Sequence, residues 1–429
     1  MTEEKKTTSL KGNELIRRYV ELFSQYSHNN ELYAKITFHV IFGQLFKHLR
    51  IYKGGNWLDP RVHLLLIQAS GSGKSTPFDF IFNITEKLGI SAVMPDSITD
   101  AALVGTVEEI KSKKGEKSEY EIVPGILDYA DILIWDEAEM LLSDNPKQHA
   151  QDAVYYFQKA LNPLGSKSSI ISKKLAHGEW INLAPHCSLL LVAANIENLD
   201  EQVLTKGICQ RLLFFPRDLS TEERVDNDMK DVEKVGQKTV MEIDTISIVE
   251  RLKELREQFK DVKLEFDDGV IPLLKNKTNS LHSLISTSDE HIKNLLQSFI
   301  ARYKNIILVL GVHHALMNER SNVDKSDINY GFGIVYDVFK HLITWSEKQS
   351  RITGLASKNT RDYNRAKMMF DVLPKNVLDS EGYVPRKVVM DLLMKTFCKT
   401  EPTCYDYVKK WGDKVLKKTI KGQKWFKLI

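Results

Sequence analysis

The chain has 429 residues, more than the roughly 150 of a typical domain, so we expect two or three domains. Hydrophobic residues make up 42% and charged residues 27%, a globular composition that excludes a largely disordered chain. The net charge of +3 divides into +8 for residues 361–429 (16 Lys and Arg, 8 Asp and Glu) and −5 for the rest (44 against 49), so the C-terminal segment has either a polyanionic partner or a solvated lysine-rich surface.

The predicted elements alternate between helices and short strands. Residues 14–51 have helical periodicity, and after Gly54, Gly55 and Pro60 apolar runs alternate with helical stretches. Uniformly apolar short runs are typical of strands buried on both faces, so we predict a parallel sheet in an α/β layer. The runs are 62–67, 91–94, 132–135, 188–194 and 212–215. We interpret 111–121 as a surface loop, 217–245 as a solvated linker or helical connection, and 246–350 as helical.

The sequence argues against membrane-spanning, secreted, disulfide-stabilised and zinc-ribbon proteins. No run approaches about 18 consecutive apolar residues, so we expect no membrane span, and residues 1–13 lack the apolar centre of a signal peptide. The four cysteines form no CxxC pair, which argues against a disulfide framework and a zinc ribbon. Cys398 and Cys404 are interpreted as packed thiols. We therefore expect a soluble protein of a reducing, cytoplasmic compartment.

A glycine-rich loop follows the first predicted strand. It consists of Ser70, Gly71, Ser72, Gly73, Lys74, Ser75 and Thr76, and we predict a helix from Ser75. Glycines let backbone N–H groups cradle phosphates, a lysine reaches the β- and γ-phosphates, and a hydroxyl ligates Mg²⁺. The usual pattern has a glycine where this chain has Gln68. These residues predict binding of ATP with Mg²⁺.

A pair of carboxylates supplies the second half of the predicted site. Asp136 and Glu137 end the apolar run 132–135, 62 residues after Lys74. One carboxylate at the end of a strand can hold Mg²⁺ through water, and its neighbour can deprotonate the attacking water. We assign Asp136, with Ser75, to the metal and Glu137 as general base.

With these motifs the chain resembles AAA+ ATPases, and its later segments resemble those of viral and plasmid primase-helicases and of MCM helicases. The run LLLVAAN resembles the sensor-1 strand, which implies that Asn195 orients the lytic water. The segment Gly207–Phe215 resembles the one that carries the arginine finger of such ATPases. This implies that Arg211 reaches the γ-phosphate bound by a neighbouring subunit, with Arg217 as the runner-up for this role. Arg302 resembles the sensor-2 arginine, in cis or across an interface. The alternative for Asn195 is an asparagine that makes turn hydrogen bonds at the end of a strand. The alternative for Arg211 and Arg302 is an ordinary salt bridge.

The same resemblance implies a DNA-contacting hairpin. Residues 169–183 are predicted to form a β-hairpin with a basic tip, at the position of the pre-sensor-1 hairpin that enters the pore of such rings. Lys173, Lys174 and His177 would then meet DNA phosphates; the alternative is a solvated hairpin.

The basic C-terminal segment is predicted to contain helices at 364–375, 386–397 and 402–415, followed by a hairpin at 416–420 and 425–429. Three helices and a basic hairpin are the order of a winged helix. Its DNA contacts would come from Lys409, Lys410, Lys414, Lys421 and Lys424. A winged helix that binds protein is the alternative.

The sequence therefore predicts four segments: an N-terminal helical region (1–58), an AAA+ core (59–245), a helical lid (246–350) and a winged helix (362–429). The resemblance implies an ATP-driven DNA helicase or translocase of a virus or mobile element, assembled as a homo-oligomeric ring, most simply a hexamer. Its candidate partners are DNA and a primase or other replication proteins, with no membrane. Two alternatives stay open: a helicase loader, origin-binding or remodelling ATPase, and a nucleotide-switched regulator.

Overall fold

The computed structural model of the chain describes residues 10, 12–25, 31–69, 71–96, 98–110, 119–139, 148–175, 180–194, 207–233, 244–286, 288, 290–353, 358–374, 377–397, 399–420 and 422–428. The described residues divide into two compact units, one up to residue 345 and a smaller one from residue 346. The first three predicted segments therefore fall almost entirely within one unit.

The helices and strands are as follows. The helices are α1 (Asn13–Phe23), α2 (Glu31–Leu45), α3 (Phe78–Leu88), α4 (Asp100–Val104), α5 (Ile126–Tyr129), α6 (Gln148–Ala160), α7 (Thr221–Glu233), α8 (Asp244–Gln258), α9 (Val270–Leu284), α10 (Glu290–Met317), α11 (Lys325–Thr353), α12 (Lys358–Asp371), α13 (Arg386–Phe397) and α14 (Glu401–Lys410). The strands are β1 (Ile51–Lys53), β2 (Asn56–Leu58), β3 (Leu64–Gln68), β4 (Ala92–Val93), β5 (Gly105–Ile110), β6 (Glu119–Pro124), β7 (Ile132–Trp135), β8 (Ile171–Lys174), β9 (Trp180–Leu183), β10 (Ser188–Ala193), β11 (Leu213–Arg217), β12 (Glu265–Phe266), β13 (Asn322–Val323), β14 (Val384–Pro385), β15 (Val415–Ile420) and β16 (Gln423–Leu428).

A five-stranded parallel sheet forms the centre of the larger unit. Its order is β11-β3-β10-β7-β4, and every neighbouring pair is parallel. All residues of β3, β7 and β10 are buried, because both faces of the sheet are covered. Each of the five strands coincides with a predicted apolar run, so the prediction of a mixed α/β fold with a parallel sheet is confirmed.

The strand order of the sheet reverses beside β3. Of the five strands, β3 is the first in the chain, but it lies between β10 and β11 in the sheet. β10 separates it from β7. Ligands of open α/β sheets bind outside the carboxyl ends of strands where the order reverses in this way. The carboxyl ends of β3, β7 and β10 therefore lie at one edge of the sheet.

Helices precede and follow the strands of this sheet along the chain. α2 is buried at Tyr33, Ala34 and every residue from Ile36 to Leu45. Among the described residues, Ile292–Met317 of α10 is long and apolar enough to cross a membrane by length and composition, but 61% of its most apolar stretch is buried inside the protein. Such burial is typical of a core helix.

In the described part of the larger unit, two antiparallel strand pairs besides β1–β2 lie outside the five-stranded sheet. β8 and β9 form the antiparallel hairpin that the sequence predicts. β5 and β6 form a second antiparallel pair, so the interpretation of 111–121 as a loop was wrong for residues 119–121. The pair was missed because its strands mix charged and apolar residues rather than forming an apolar run.

The smaller unit contains α12, α13 and α14 and an antiparallel sheet of order β14-β16-β15. Its own core includes Phe370, Met390, Leu393, Trp411 and Phe426. The predicted helix 386–397 and the C-terminal hairpin are observed, whereas the predicted helix 364–375 lies at Lys358–Asp371.

Candidate functional site

The glycine-rich loop leaves β3 at the carboxyl edge of the sheet. Gly71 and Gly73 have φ angles of +72° and +71°, in the left-handed region that glycine adopts without strain. The Ser72 hydroxyl donates to the carbonyl of Ala69 at 2.5 Å, which closes the turn. Apart from its chain neighbours, no atom of the described residues lies within 4 Å of the position a Cβ would take on Gly71, so this side of the loop is open to a ligand.

Gln68, which replaces the usual glycine, belongs to β3 and pairs with Arg217 of β11. It is only 2% exposed, and its side-chain amide donates to the Ser72 carbonyl at 3.2 Å. The turn begins after Gln68, so its side chain braces the loop from the strand. The tolerance of a long side chain at this position could not be read from the motif.

The helix after the loop begins at Phe78, and the prediction that it begins at Ser75 was wrong. Pro77 is the reason, because its ring disfavours the helical conformation of the preceding Thr76. The Phe78 amide donates to the Ser75 carbonyl at 3.0 Å, so a single tight turn joins the loop to α3.

The structure brings Ser75 and Asp136 together across 61 positions of sequence. The Ser75 hydroxyl donates a hydrogen bond to Oδ2 of Asp136, which follows β7. A hydroxyl and a carboxylate are the hard oxygen ligands that Mg²⁺ uses, together with water and substrate phosphates. The two residues assigned to the metal thus fit a magnesium ion in the chemistry of their donor atoms.

Glu137 adopts a strained backbone conformation beside this pair. Its φ is +70°, which is uncommon for a residue with a Cβ. Its amide donates to Oδ1 of Asp136 at 3.1 Å, and the next amide, of Ala138, donates to Val192 of β10 at 2.9 Å. These bonds hold the strained residue, and its side chain is exposed. Strain of this kind concentrates at functional sites.

Tyr33 is a site residue that the sequence analysis missed. Its hydroxyl, carried by α2, donates to the backbone carbonyl of Lys74 at 3.2 Å. Burial raises the pKa of the Tyr33 phenol, so the group stays a donor at every physiological pH. The contact spans 41 positions of sequence, and no local pattern indicates it.

Arg211 and Arg302 share one cleft of about 120 Å³, which Asp59 and Arg61 also line. Arg211 lies in a 3-10 turn just before β11, and its guanidinium donates to Gly207 at 2.7 Å. Burial and the nearby Arg302 lower the pKa of Arg211, as expected where two cations converge. Two such cations suit an anionic ligand.

This cleft lies at the amino edge of the sheet, away from the glycine-rich loop. Leu213 pairs with Leu64 and Arg217 with Gln68, so about 13 Å of strand, at roughly 3.3 Å per residue, separates Arg211 from the loop edge. Arg217 lies at the loop edge instead, where it donates to Glu223 at 2.8 Å.

The basic hairpin presents its lysines differently. Lys173 Nζ lies 2.6 Å from Asp100, so its ammonium is held against the protein, while Lys174 points the other way and is exposed. In the smaller unit Lys409, Lys410, Lys414 and Lys424 are exposed. Ser70, His177, Asn195 and Lys421 lie outside the described residues; Asn195 follows Ala194, whose amide donates to Glu139 at 3.2 Å.

Comparisons with protein-family models and with curated proteins find no match for this chain. Among the described residues no group of three or more His, Cys, Asp or Glu side chains could hold a metal ion, and Cys187, Cys209 and Cys404 are buried free thiols.

Proposed function

We propose that the chain is an AAA+ ATPase that hydrolyses ATP with Mg²⁺ in a ring of identical subunits and uses this reaction to move along or unwind DNA. The observation that carries the proposal is the hydrogen bond between Ser75 and Asp136, beside a glycine-rich loop, at the carboxyl edge of a parallel sheet. Two residues 61 positions apart meet where a nucleotide phosphate and its metal ion need them.

The residues at the carboxyl edge of the sheet have separate roles in ATP hydrolysis. The backbone N–H groups of the loop and Lys74 hold the β- and γ-phosphates. Ser75 and Asp136 would hold Mg²⁺, which would supply neutralisation of the phosphate charge. Glu137 takes a proton from water while the water oxygen attacks the γ-phosphorus. The bond to the β–γ bridging oxygen breaks, and ADP leaves.

The position of Arg211 and Arg302 supports the ring. Charge that develops on the γ-phosphate is stabilised by arginines, but these two lie at the opposite edge from the loop of their own chain. A neighbouring copy can supply them, and head-to-tail contacts of this kind close into rings. Arg217, at the loop edge, is the residue for contact within one chain.

DNA is proposed as the polyanionic partner. The smaller unit has the element order of a winged helix, with exposed Lys409, Lys410 and Lys414 on or just after α14 and Lys424 on the hairpin. Lys174 adds an exposed cation on the β8–β9 hairpin. Contacts of lysines with phosphates give affinity that depends on salt and little on sequence.

The test is ATP turnover by the full-length protein, alone and with single- or double-stranded DNA. Glu137→Gln is expected to bind ATP and lose turnover by about 10²–10⁴-fold, as for removal of a general base. Glu257→Gln, an exposed carboxylate on α8, is the control and keeps full turnover. Full turnover by Glu137→Gln would rule out the base assignment.

The response to DNA decides among the classes of ATPase. Stimulation of turnover by DNA, reduced in Lys174→Ala, together with strand separation on a forked duplex, supports a helicase. Stimulation without strand separation identifies a loader or a remodelling ATPase. Turnover indifferent to DNA identifies a regulator whose smaller unit binds protein.

A further inference from the structure

Helix α7 exposes its apolar side chains to solvent. Val225, Met229 and Val232 are 55, 61 and 66% exposed. Their spacing of four and three residues places them on one face of the helix. The opposite face carries Glu223, which binds Arg217, and Lys230, and both are partly buried. A surface helix ordinarily turns its apolar face inward, so the reversed orientation of α7 indicates a partner.

The apolar stripe of α7 lies in an acidic setting. Residues 221–233 contain six acidic and two basic side chains. At 100° per residue, Glu222 and Asp228 flank the stripe at about 60° on either side of Val225. The partner surface should therefore be apolar at its centre and basic at its rim.

The larger unit has such a surface. A cavity of about 490 Å³ lies among the β1–β2 hairpin, α9 and α10, with Tyr52, Phe266 and Ile271 in its wall and Lys53, Lys275 and Lys304 around it. Tyr52 is 72% and Ile271 51% exposed. Burial and the nearby Lys304 and Arg302 lower the pKa of Lys53, which is the electrostatic consequence of this cluster of cations.

The helix and the cavity lie towards opposite edges of the sheet. α7 starts four residues after Arg217, at the edge of the glycine-rich loop. The cavity shares Asn305 with the cleft of Arg211 and Arg302, at the amino edge. When one copy presents these arginines to the loop of the next, the same contact brings the next copy's α7 towards the cavity.

We propose that α7 of one copy docks into the cavity of its neighbour, with Val225, Met229 and Val232 inside and Glu222 and Asp228 against Lys53, Lys275 and Lys304. This contact rests on the ring of the proposed function and names the surface that holds it together. Because the two surfaces differ, the contact is head-to-tail and repeats from copy to copy.

The first test measures self-association of the full-length protein with ATP by sedimentation velocity. Met229→Lys is expected to raise the concentration for half-association by about tenfold or more, because it places a charge in an apolar contact. Met368→Lys on α12 is the matched control, since Met368 is equally exposed at 62%, and it should associate as the wild type does. ATP binding by Met229→Lys, measured by calorimetry, should stay unchanged.

The outcomes separate the docking contact from the ring. A wild-type chain that stays monomeric with bound ATP would overturn both proposals. Wild-type association that Met229→Lys leaves unchanged would overturn the docking alone. A second variant gives a direct readout: Met229→Cys with Ile271→Cys should form a ladder of disulfide-linked oligomers on oxidation, and each single variant should not. A double variant that forms no ladder would also overturn the docking.

Discussion

At the residue scale, the hydrogen bonds of two buried histidines fix their protonation. The Pro60 carbonyl can only accept, so His313 donates to it from Nε2 at 2.8 Å and leaves Nδ1 as an acceptor. His39 then donates from Nδ1 to that atom at 3.0 Å, and its Nε2 accepts from Tyr330 at 2.8 Å. Both rings are neutral. Burial lowers the pKa of His39 well below its ordinary value and that of His313 to about 3.

His63 follows the same rule at the start of β3. The Leu189 amide donates to its Nδ1 at 3.1 Å, and burial with the nearby Arg61 lowers the pKa of His63 to about 3. In the unfolded chain these histidines have pKa values near 6.5, so the unfolded state binds more protons below that pH. The contribution of these histidines to the free energy of unfolding is therefore fully present above about pH 6.5 and is lost as the pH falls towards 3.

Acidification from pH 7.5 to 5.5 is expected to lower the free energy of unfolding by roughly 1 kcal/mol each for His63 and His313. Carboxylates with lowered pKa values, such as Asp59, reduce the free energy of unfolding only when they are protonated below about pH 4, outside this window. Urea unfolding followed by circular dichroism at pH 7.5 and 5.5 measures the change. His63→Gln should reduce it, and His282→Gln, an exposed histidine of α9, should leave it as it is. Equal pH dependence in His63→Gln and the wild type would contradict the assignment.

At the element scale, the crossing of α10 and α11 depends on one glycine. A Cβ on Gly331 would lie 2.4 Å from the Ile307 carbonyl and 3.1 Å from the Gly311 amide, so the two helix backbones approach too closely for any side chain. Gly333, two positions on, has no described atom within 4 Å of its would-be Cβ other than those of its own stretch of helix. The same helix thus offers a constrained glycine and an unconstrained one.

Alanine substitution should have opposite effects at these two positions. Gly331→Ala is expected to destabilise the protein by about 1–3 kcal/mol because α10 and α11 must separate. Gly333→Ala is expected to stabilise it by about 0.5–1 kcal/mol, since alanine loses less conformational entropy in a helix. Urea unfolding at pH 7.5 compares them. Two changes of the same sign would show that the crossing does not require close backbone contact.

The sequence predicted elements whose patterns are local and missed those that tertiary packing determines. The runs at 132–135 and 189–193 are apolar throughout, and both lie in buried strands. The charged strands β5 and β6 gave no such signal. The segment 217–245 was interpreted as a solvated linker or a helical connection, and it contains helix α7. The exposure of the three apolar residues of α7 could not be predicted from their charged sequence.

The candidate site shows the same division. The glycine-rich loop and the pair Asp136 and Glu137 are short motifs, and the structure places both at one edge of the sheet. The contacts of Tyr33 with Lys74 and of Lys173 with Asp100 join distant segments, and only the folded chain reveals them. Helix α3 began late because of a single proline, a local effect that the motif outweighed in our prediction.

At the scale of the whole molecule, the two halves of the candidate site face opposite edges of one sheet. About 13 Å of β11, at roughly 3.3 Å per residue, lies between the position of Arg211 and the loop edge. Arg211 also donates to Gly207, which anchors it near the amino edge. One chain therefore cannot complete its own site with this arginine, and activity should depend on contact between copies.

Mixing two inactive variants tests this dependence. Glu137→Gln damages the loop edge, and Arg211→Ala damages the amino edge. In a 1:1 mixture, half of the interfaces have an intact loop edge and half of those receive an intact Arg211, so about a quarter of wild-type ATP turnover should return. Glu137→Gln mixed with Lys74→Ala is the control, because both changes damage the loop edge and no interface is intact. Absence of rescue in the first mixture, or equal rescue in both, would show that Arg211 does not complete a neighbour's site.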